Sequence, residues 1–247
     1  MTLRNYLKTC LFETKQSKQP IYVYENPLHR WLCFDNDYVQ TIINKHMPHR
    51  PVLAYLPSLC LNLNSLHSIN SVVMLGAGAG AIAHYMERFH LAHSLTLVEH
   101  NETIIKLAKD YFYLQQPIIH DDAFNFVKHM SPCTHLFIDV FINSHLPELI
   151  KRAEFIEHCR LKATHCVSFN LLSRSNEELN QTIKLIQTIF SNRTLCLFIK
   201  KRANVIVHAY TQANFLDHIL QLTQNGHIYK PQWRSEKGLV STLKRFY

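Results

Sequence analysis

Gly76, Gly78 and Gly80 alternate directly after the apolar run Val72-Val73-Met74-Leu75. Glycines let a backbone turn tightly and approach a ligand where a Cβ would block the approach. A helix starting immediately afterwards, at Ala81, offers unpaired N–H groups to that ligand. The chemistry is nucleotide or nucleoside binding. Gly76-x-Gly78-x-x-Ala81 also fits the loose dinucleotide fingerprint, so NAD stays open on the loop alone. Glu99 follows about 20 residues beyond Gly76, at the end of an apolar stretch, where a carboxylate can accept hydrogen bonds from both ribose hydroxyls. Asp122 stands after the next short apolar stretch and can accept from an exocyclic adenine amine, since an ionised Asp is acceptor-only. Asp121 beside it is a spare acceptor or a helix cap. Asp139 follows Leu136-Phe137-Ile138, where an acid is costly unless paired or functional. It is the candidate catalytic residue.

The elements that must position these groups alternate. Strands are expected at Val72–Leu75, Ser94–Val98, Pro117–His120, Leu136–Val140, Cys166–Phe169, Leu195–Ile199 and Val205–Tyr210. Helices are expected at Ala81–Phe89, Glu102–Tyr113, Ala123–Met130, Leu146–Cys159 and Glu177–Phe190, with Asn101 and Ser175 as caps. This alternation predicts a doubly wound α/β fold: a mostly parallel seven-stranded sheet with its ligand at the carboxyl ends of the strands. The last two strands, joined by a tight turn, predict one antiparallel edge. In front, Ile21–Tyr24, Trp31–Phe34 and Tyr38–Ile43 are separated by turn residues and read as a small β-meander. The expected division is 1–50 for the meander and 51–247 for the α/β domain, with Val52–Leu63 a helix between them.

The chain has 247 residues, 47% of them hydrophobic, enough for one substantial core. No run approaches the length of a membrane span, and Met1–Lys15 lacks the apolar block of a signal peptide. Seven cysteines are dispersed without a Cys-x-x-Cys pair, which points to reduced thiols in the cytoplasm. The formal charge of +8 is spread out, with a cluster at Lys200-Lys201-Arg202 and a basic tail from Lys230 to Arg245. Both read as solvated faces rather than nucleic-acid sites. Seventeen histidines occur without metal-ligand spacing, so no metal is expected, and most read as surface or half-buried.

From Ile21 to about Cys166 the chain resembles the spermidine synthase family, whose class I S-adenosylmethionine methyltransferase fold, Rossmann-like, is preceded by a β-strand domain. Ile21–Glu25, Arg30–Asp35 and Gln40 are similar to the family's opening strands, including the glutamine that faces the nucleoside. Leu53–Pro57 resembles its segment before the glycine loop, and Val72–Gly80 the loop itself. Glu99 matches its ribose-binding acid, His120–Phe124 its adenine-holding segment and Asp139 its catalytic aspartate.

The resemblance implies a transferase binding S-adenosylmethionine, decarboxylated S-adenosylmethionine or methylthioadenosine. Cofactor-binding residues would be Gln40, Gly76, Gly78, Gly80, Glu99, Asp121 and Asp122, with Asp139 catalytic. An amine-type acceptor and a homodimer are implied as well. Several positions depart from the family's pattern. Ala79 replaces an Asp within the glycines, Ile142 replaces the second acid after Asp139, and His49-Arg50-Pro51 replaces the Tyr-His-Glu that helps hold a polyamine. Leu161–His165 replaces the family's glycine turn before strand five. An arginine near the expected polyamine channel opposes a polycation. The expectation is a retained nucleoside half and a degenerate polyamine half. The alternatives are a methyltransferase acting on another acceptor and a non-catalytic binding protein that kept the fold.

Overall fold

The computed structural model describes residues 8–14, 20–35, 38–63, 70–89, 94–141, 146–173, 175–199, 202–224 and 243–244. The chain opens with four antiparallel strands in sequence order: β1 (Thr9–Glu13), β2 (Ile21–Glu25), β3 (His29–Phe34) and β4 (Tyr38–Asn44). After a single helical turn, α1 (Leu56–Leu59), the alternation begins. It runs β5 (Ser71–Leu75), α2 (Ala81–Phe89), β6 (Ser94–Glu99), α3 (Glu102–Phe112), β7 (Ile118–His120), α4 (Ala123–His129) and β8 (Cys133–Ile138). It continues with α5 (Ala153–Lys162), β9 (Ala163–Leu172), α6 (Asn176–Ile189), β10 (Thr194–Phe198), β11 (Asn204–Tyr210) and α7 (Ala213–Gln224). A two-residue strand, β12 (Leu243–Lys244), adds to the edge.

The large sheet has the order β12-β10-β11-β9-β8-β5-β6-β7. Strands β7, β6, β5, β8 and β9 run parallel, and β11 enters antiparallel between β9 and β10. The expected seven-stranded, mostly parallel sheet is present. Antiparallel pairing is confined to the β9 side, where β11 lies inside the sheet between β9 and β10 and the two-residue β12 pairs with β10 at the edge.

Side chains alternate across a strand, so β5 feeds two cores. Val72 and Met74 join the core formed with α2, α3, α7 and the inner face of the four-stranded sheet. Val73 and Leu75 join the core formed with α4, α5 and α6. The small sheet thus packs on the same face as α2, and its Ile21, Leu32, Phe34 and Ile43 share the core of the glycine loop's helix. Asn101 caps α3 by accepting from the Ile104 amide, and Ser175 caps α6 by accepting from Glu178. Both caps match expectation.

Several expectations need correction. Val52–Leu63 is not one helix: α1 spans four residues, followed by a 3-10 turn over Leu61–Leu63. Pro57 stands in the first turn of α1, where its missing N–H is tolerated, but it prevents a helix from running through from Val52. The helix expected over Leu146–Cys159 is a 3-10 turn at Glu148–Lys151 and then α5, because Arg152 between them has extended backbone. Strand β9 is longer than Cys166–Phe169, and β1 and α7 are not among the expected elements. His84, His135 and His208 are buried rather than superficial. The turn over Asn36 and Asp37, Ile142 and Asn143, the Lys200-Lys201 pair, and the basic tail apart from Leu243–Lys244 lie outside the described residues.

Among the described residues no helix is long and apolar enough to cross a membrane. All seven cysteines are free thiols, and Cys10 alone is exposed.

Candidate nucleoside and acceptor site

Between β5 and β8 the chain's direction of winding reverses, because it leaves β5 outward to β6 and β7 before returning to β8. Ligands of open α/β sheets bind beyond the carboxyl ends of the strands at such a point. Gly76 stands there with φ +84°, a conformation that disfavours a side chain, and a Cβ on it would lie 2.3 Å from the Asp139 carbonyl oxygen. The amides of Gly76 and Ala77 both donate to the Val98 carbonyl, at 2.9 and 3.0 Å, and the Asp139 amide donates to Leu75 at 3.0 Å. The loop is therefore latched to the ends of β6 and β8 through main-chain bonds.

Over this loop lies a cavity of about 330 Å³. Gln40, Gly76, Gly78, Glu99, Asp121, Asp122 and Asp139 all line it, so the fold brings seven of the eight expected site residues together. The eighth, Gly80, is buried under Leu114, whose methyl carbon would meet an added Cβ at 2.8 Å. Its role is close packing rather than lining. Arg50, expected near a polyamine channel, is exposed and is not a lining residue.

On the β6–β7 side, Glu99 is buried and held by backbone. One carboxylate oxygen accepts from the amides of His100 and Asn101, at 3.0 and 3.1 Å, and the other accepts from Gly78 N at 3.1 Å. His100 Nδ1 lies 3.2 Å from Glu99, and that contact raises the imidazole pKa. Asp122 is the cap of α4, one oxygen accepting from Phe124 and Asn125 at 2.9 and 3.1 Å. Asp121 accepts from the Asp122 amide and from the Asn125 side chain, both at 2.8 Å. The small sheet reaches in through Thr41, whose hydroxyl oxygen accepts from the Ala79 amide at 3.1 Å. Sequence reasoning missed Thr41. Its signal is a polar residue directly beside the expected Gln40 in β4.

On the β8–β9 side, Asp139 is held by side chains. Asn170 Nδ2 donates to one carboxylate oxygen at 2.8 Å, and the Tyr55 hydroxyl donates to the other at 3.2 Å. Asn204 Nδ2 donates to Asn170 Oδ1 at 3.0 Å, which turns the Asn170 amide nitrogen toward the carboxylate. Burial pushes the Asp139 carboxyl up to about 6, against the pull of the two hydrogen bonds. A carboxylate in that range can take a proton from an amine near neutral pH. Tyr55 and Asn170 were not singled out from the sequence. Asn170 carried the same signal as Asp139, a polar residue ending a buried strand.

Among the described residues no group of three or more His, Cys, Asp or Glu could hold a metal ion. A second buried polar network lies away from the cavity, in the middle of the sheet. His135 Nε2 is 2.8 Å from Ser168 Oγ, Ser168 Oγ is 2.7 Å from His208 Nδ1, and His208 Nε2 reaches the Ser58 carbonyl at 2.9 Å.

No protein-family model matches the chain. The polyamine aminopropyltransferase of Buchnera aphidicola subsp. Acyrthosiphon pisum (strain Tuc7) is 26% identical over 131 residues, covering 49% of this chain and 44% of that protein. The chain therefore matches less than half the length of that relative. A probable spermidine synthase from Corynebacterium glutamicum superposes with a TM-score of 0.70 at 16% identity, over 81% of this chain and 80% of that one. In sequence over about half its length and in fold, the chain is similar to spermidine synthases. A spermidine synthase in complex with the transition-state analogue AdoDATO superposes with a TM-score of 0.65 at 15% identity, over 87% and 77% of the two chains. Human methyltransferase-like protein 13 in complex with SAH gives 0.54 at 15% identity, over 68% and 90%. The methyltransferase-like fold is thus common to this chain and its structural neighbours.

Proposed function

We propose that the cavity binds the nucleoside of S-adenosylmethionine, of its decarboxylated form or of methylthioadenosine, and that the protein is a transferase acting on an amine. The observation that carries this reading is the joining of Glu99, Asp121, Asp122 and the glycine loop to Asp139 in one cavity. Glu99 receives the ribose hydroxyls, and Asp122 receives the adenine amine through the oxygen not used in capping α4. Gln40 covers the nucleoside from the small sheet. The solved neighbours holding AdoDATO and SAH support this class of ligand.

In the transfer, the Asp139 carboxylate takes a proton from the acceptor ammonium. The freed nitrogen lone pair attacks the sulfonium-bound carbon in line. The N–C bond forms, the C–S bond breaks, and its electron pair returns to sulfur to give the neutral thioether. Holding both reactants over the same loop supplies much of the acceleration. Asp139 both anchors the amine and accepts its proton.

Isothermal calorimetry with methylthioadenosine, S-adenosylmethionine and NAD tests the nucleoside reading. Binding of a sulfur nucleoside, weakened by Glu99→Gln, supports it; heat with NAD alone, or with none of the three, overturns it. Transfer is read by incubating the protein with an amine and either decarboxylated S-adenosylmethionine or S-adenosylmethionine. Product from the second donor alone makes the protein a methyltransferase, the reading favoured if a single acid suffices at the acceptor end. Turnover unchanged by Asp139→Asn removes Asp139 from the mechanism, and nucleoside binding without turnover on any amine leaves a binding protein. Alongside this reading we place the protein in the cytoplasm, on its seven free thiols, and as a homodimer, which light scattering of the purified chain would decide.

A further inference from the structure

We propose that the acceptor end of the cavity takes a single amine carried on an apolar body, and discriminates against a diamine. The inference rests on the transferase reading and narrows its substrate class. The segment entering α1 and the β8–α5 connection give the cavity wall mostly apolar residues, Leu53, Val140, Phe141, Pro147 and Leu149, together with Tyr55, which bonds Asp139. The two stretches meet at Asp139.

The only other carboxylate that this connection sends to the cavity is Glu148. Its side chain is 78% exposed and paired at 2.5 Å with Lys151, which also bonds Glu178 at 2.8 Å. Glu148 thus shares one cation with Glu178 and stays in water at the rim. The remaining residues of the connection, 142–145, read Ile-Asn-Ser-His and contain no acid. Asp139 is consequently the single buried carboxylate that the β8–α5 connection offers at this end.

A monoamine places its one ammonium on Asp139 and its carbon chain or ring on the apolar wall. Each methylene buried there is worth about fourfold in affinity. A diamine bound the same way would strip water from its second ammonium with no second buried carboxylate to receive it, which is strongly unfavourable. The wall rewards apolar length and penalises a second charge.

The test uses the full chain. It is first titrated with methylthioadenosine, which reports on the nucleoside half alone. Hexylamine, butylamine and putrescine are then titrated by calorimetry at pH 8 into the protein with and without that nucleoside. The expected result is hexylamine binding about sixteenfold tighter than butylamine, about fourfold for each of two methylenes, with putrescine weaker than butylamine. Asp139→Asn should remove amine binding while methylthioadenosine binding stays. Putrescine binding as tightly as hexylamine, affinity independent of chain length, or no amine binding in either state would each overturn the proposal. Loss of methylthioadenosine binding with the amine preference intact would instead overturn the nucleoside reading and leave the monoamine site standing.

Discussion

At the Glu99 end of the cavity the polar contacts run between a carboxylate and backbone amides; at the Asp139 end they run between side chains. Glu99 is gripped by the amides of Gly78, His100 and Asn101, groups present whatever the side chains are. Asp139 depends on Tyr55 and Asn170, each a specific side chain on a distant element. A backbone-held carboxylate changes only if the chain path changes. A side-chain-held one can be retuned by a single substitution. The Asp139 end can therefore change by single substitutions while the Glu99 end beside it keeps its form.

The hardest test of this contrast is at the residue that touches both ends. Gly76→Ala puts a Cβ against the Asp139 carbonyl in a left-handed backbone, and urea denaturation should show a loss of more than about 3 kcal/mol. Gly78→Ala meets only the Thr41 hydroxyl, at 3.1 Å, and should cost about 1–2 kcal/mol. Equal losses would break the assignment of Gly76 as the joint.

Acid separates side-chain-held groups by sign. Burial lowers His208 to about 4, and lowers His135 as well, so the folded state resists protons that the unfolded chain accepts. The stability tied to these residues is present above about pH 6.5 and is lost as pH falls toward 4. His208 alone should remove roughly 2 kcal/mol between pH 7.5 and 5, and a His208→Gln variant should lose less over that interval.

Asp139 acts the other way, since its folded pKa of about 6 stands above its unfolded value near 3.8. Its charge weakens the fold above pH 6, and the burden lifts as pH falls through that value. Asp139→Asn should therefore stabilise the protein at pH 7.5 by about 1–2 kcal/mol while abolishing transfer. The gain should vanish by about pH 4, leaving the variant more acid-sensitive than the parent. No gain at pH 7.5 would mean that the two hydrogen bonds fully offset the burial.

Glu99→Gln removes the charge and sets an amide NH2 against one of the backbone donors, and should weaken methylthioadenosine about tenfold by calorimetry. The smallest effect belongs to Thr41→Ala. It leaves the Ala79 amide without its acceptor and should cost about 1 kcal/mol in urea, with amine selectivity unmoved.

Much of this was legible in the chain because the signals are local. Alternating strands and helices, the glycine run and acids at strand ends are written within a few neighbouring residues, and seven of the eight expected site residues do line one cavity. Tyr55 was not legible as a partner of Asp139, 84 residues away, nor was Thr41 as the acceptor for Ala79, 38 residues away. Nothing in the local pattern encodes such pairings. His135 and His208 were not singled out among the seventeen histidines for the same reason: a histidine in a strand shows its burial only once Ser168 is known to stand between them.

By itself, then, the sequence determined the sheet's class, the loop over which a nucleoside can lie, and the acids that end the strands, since periodicity and glycine conformation are properties of short segments. Tertiary structure decided that β11 would slip between β9 and β10, that Asp139 would be held by Tyr55 and Asn170, and that the wall beside it would be mostly apolar. Those outcomes depend on which surfaces meet when distant segments pack.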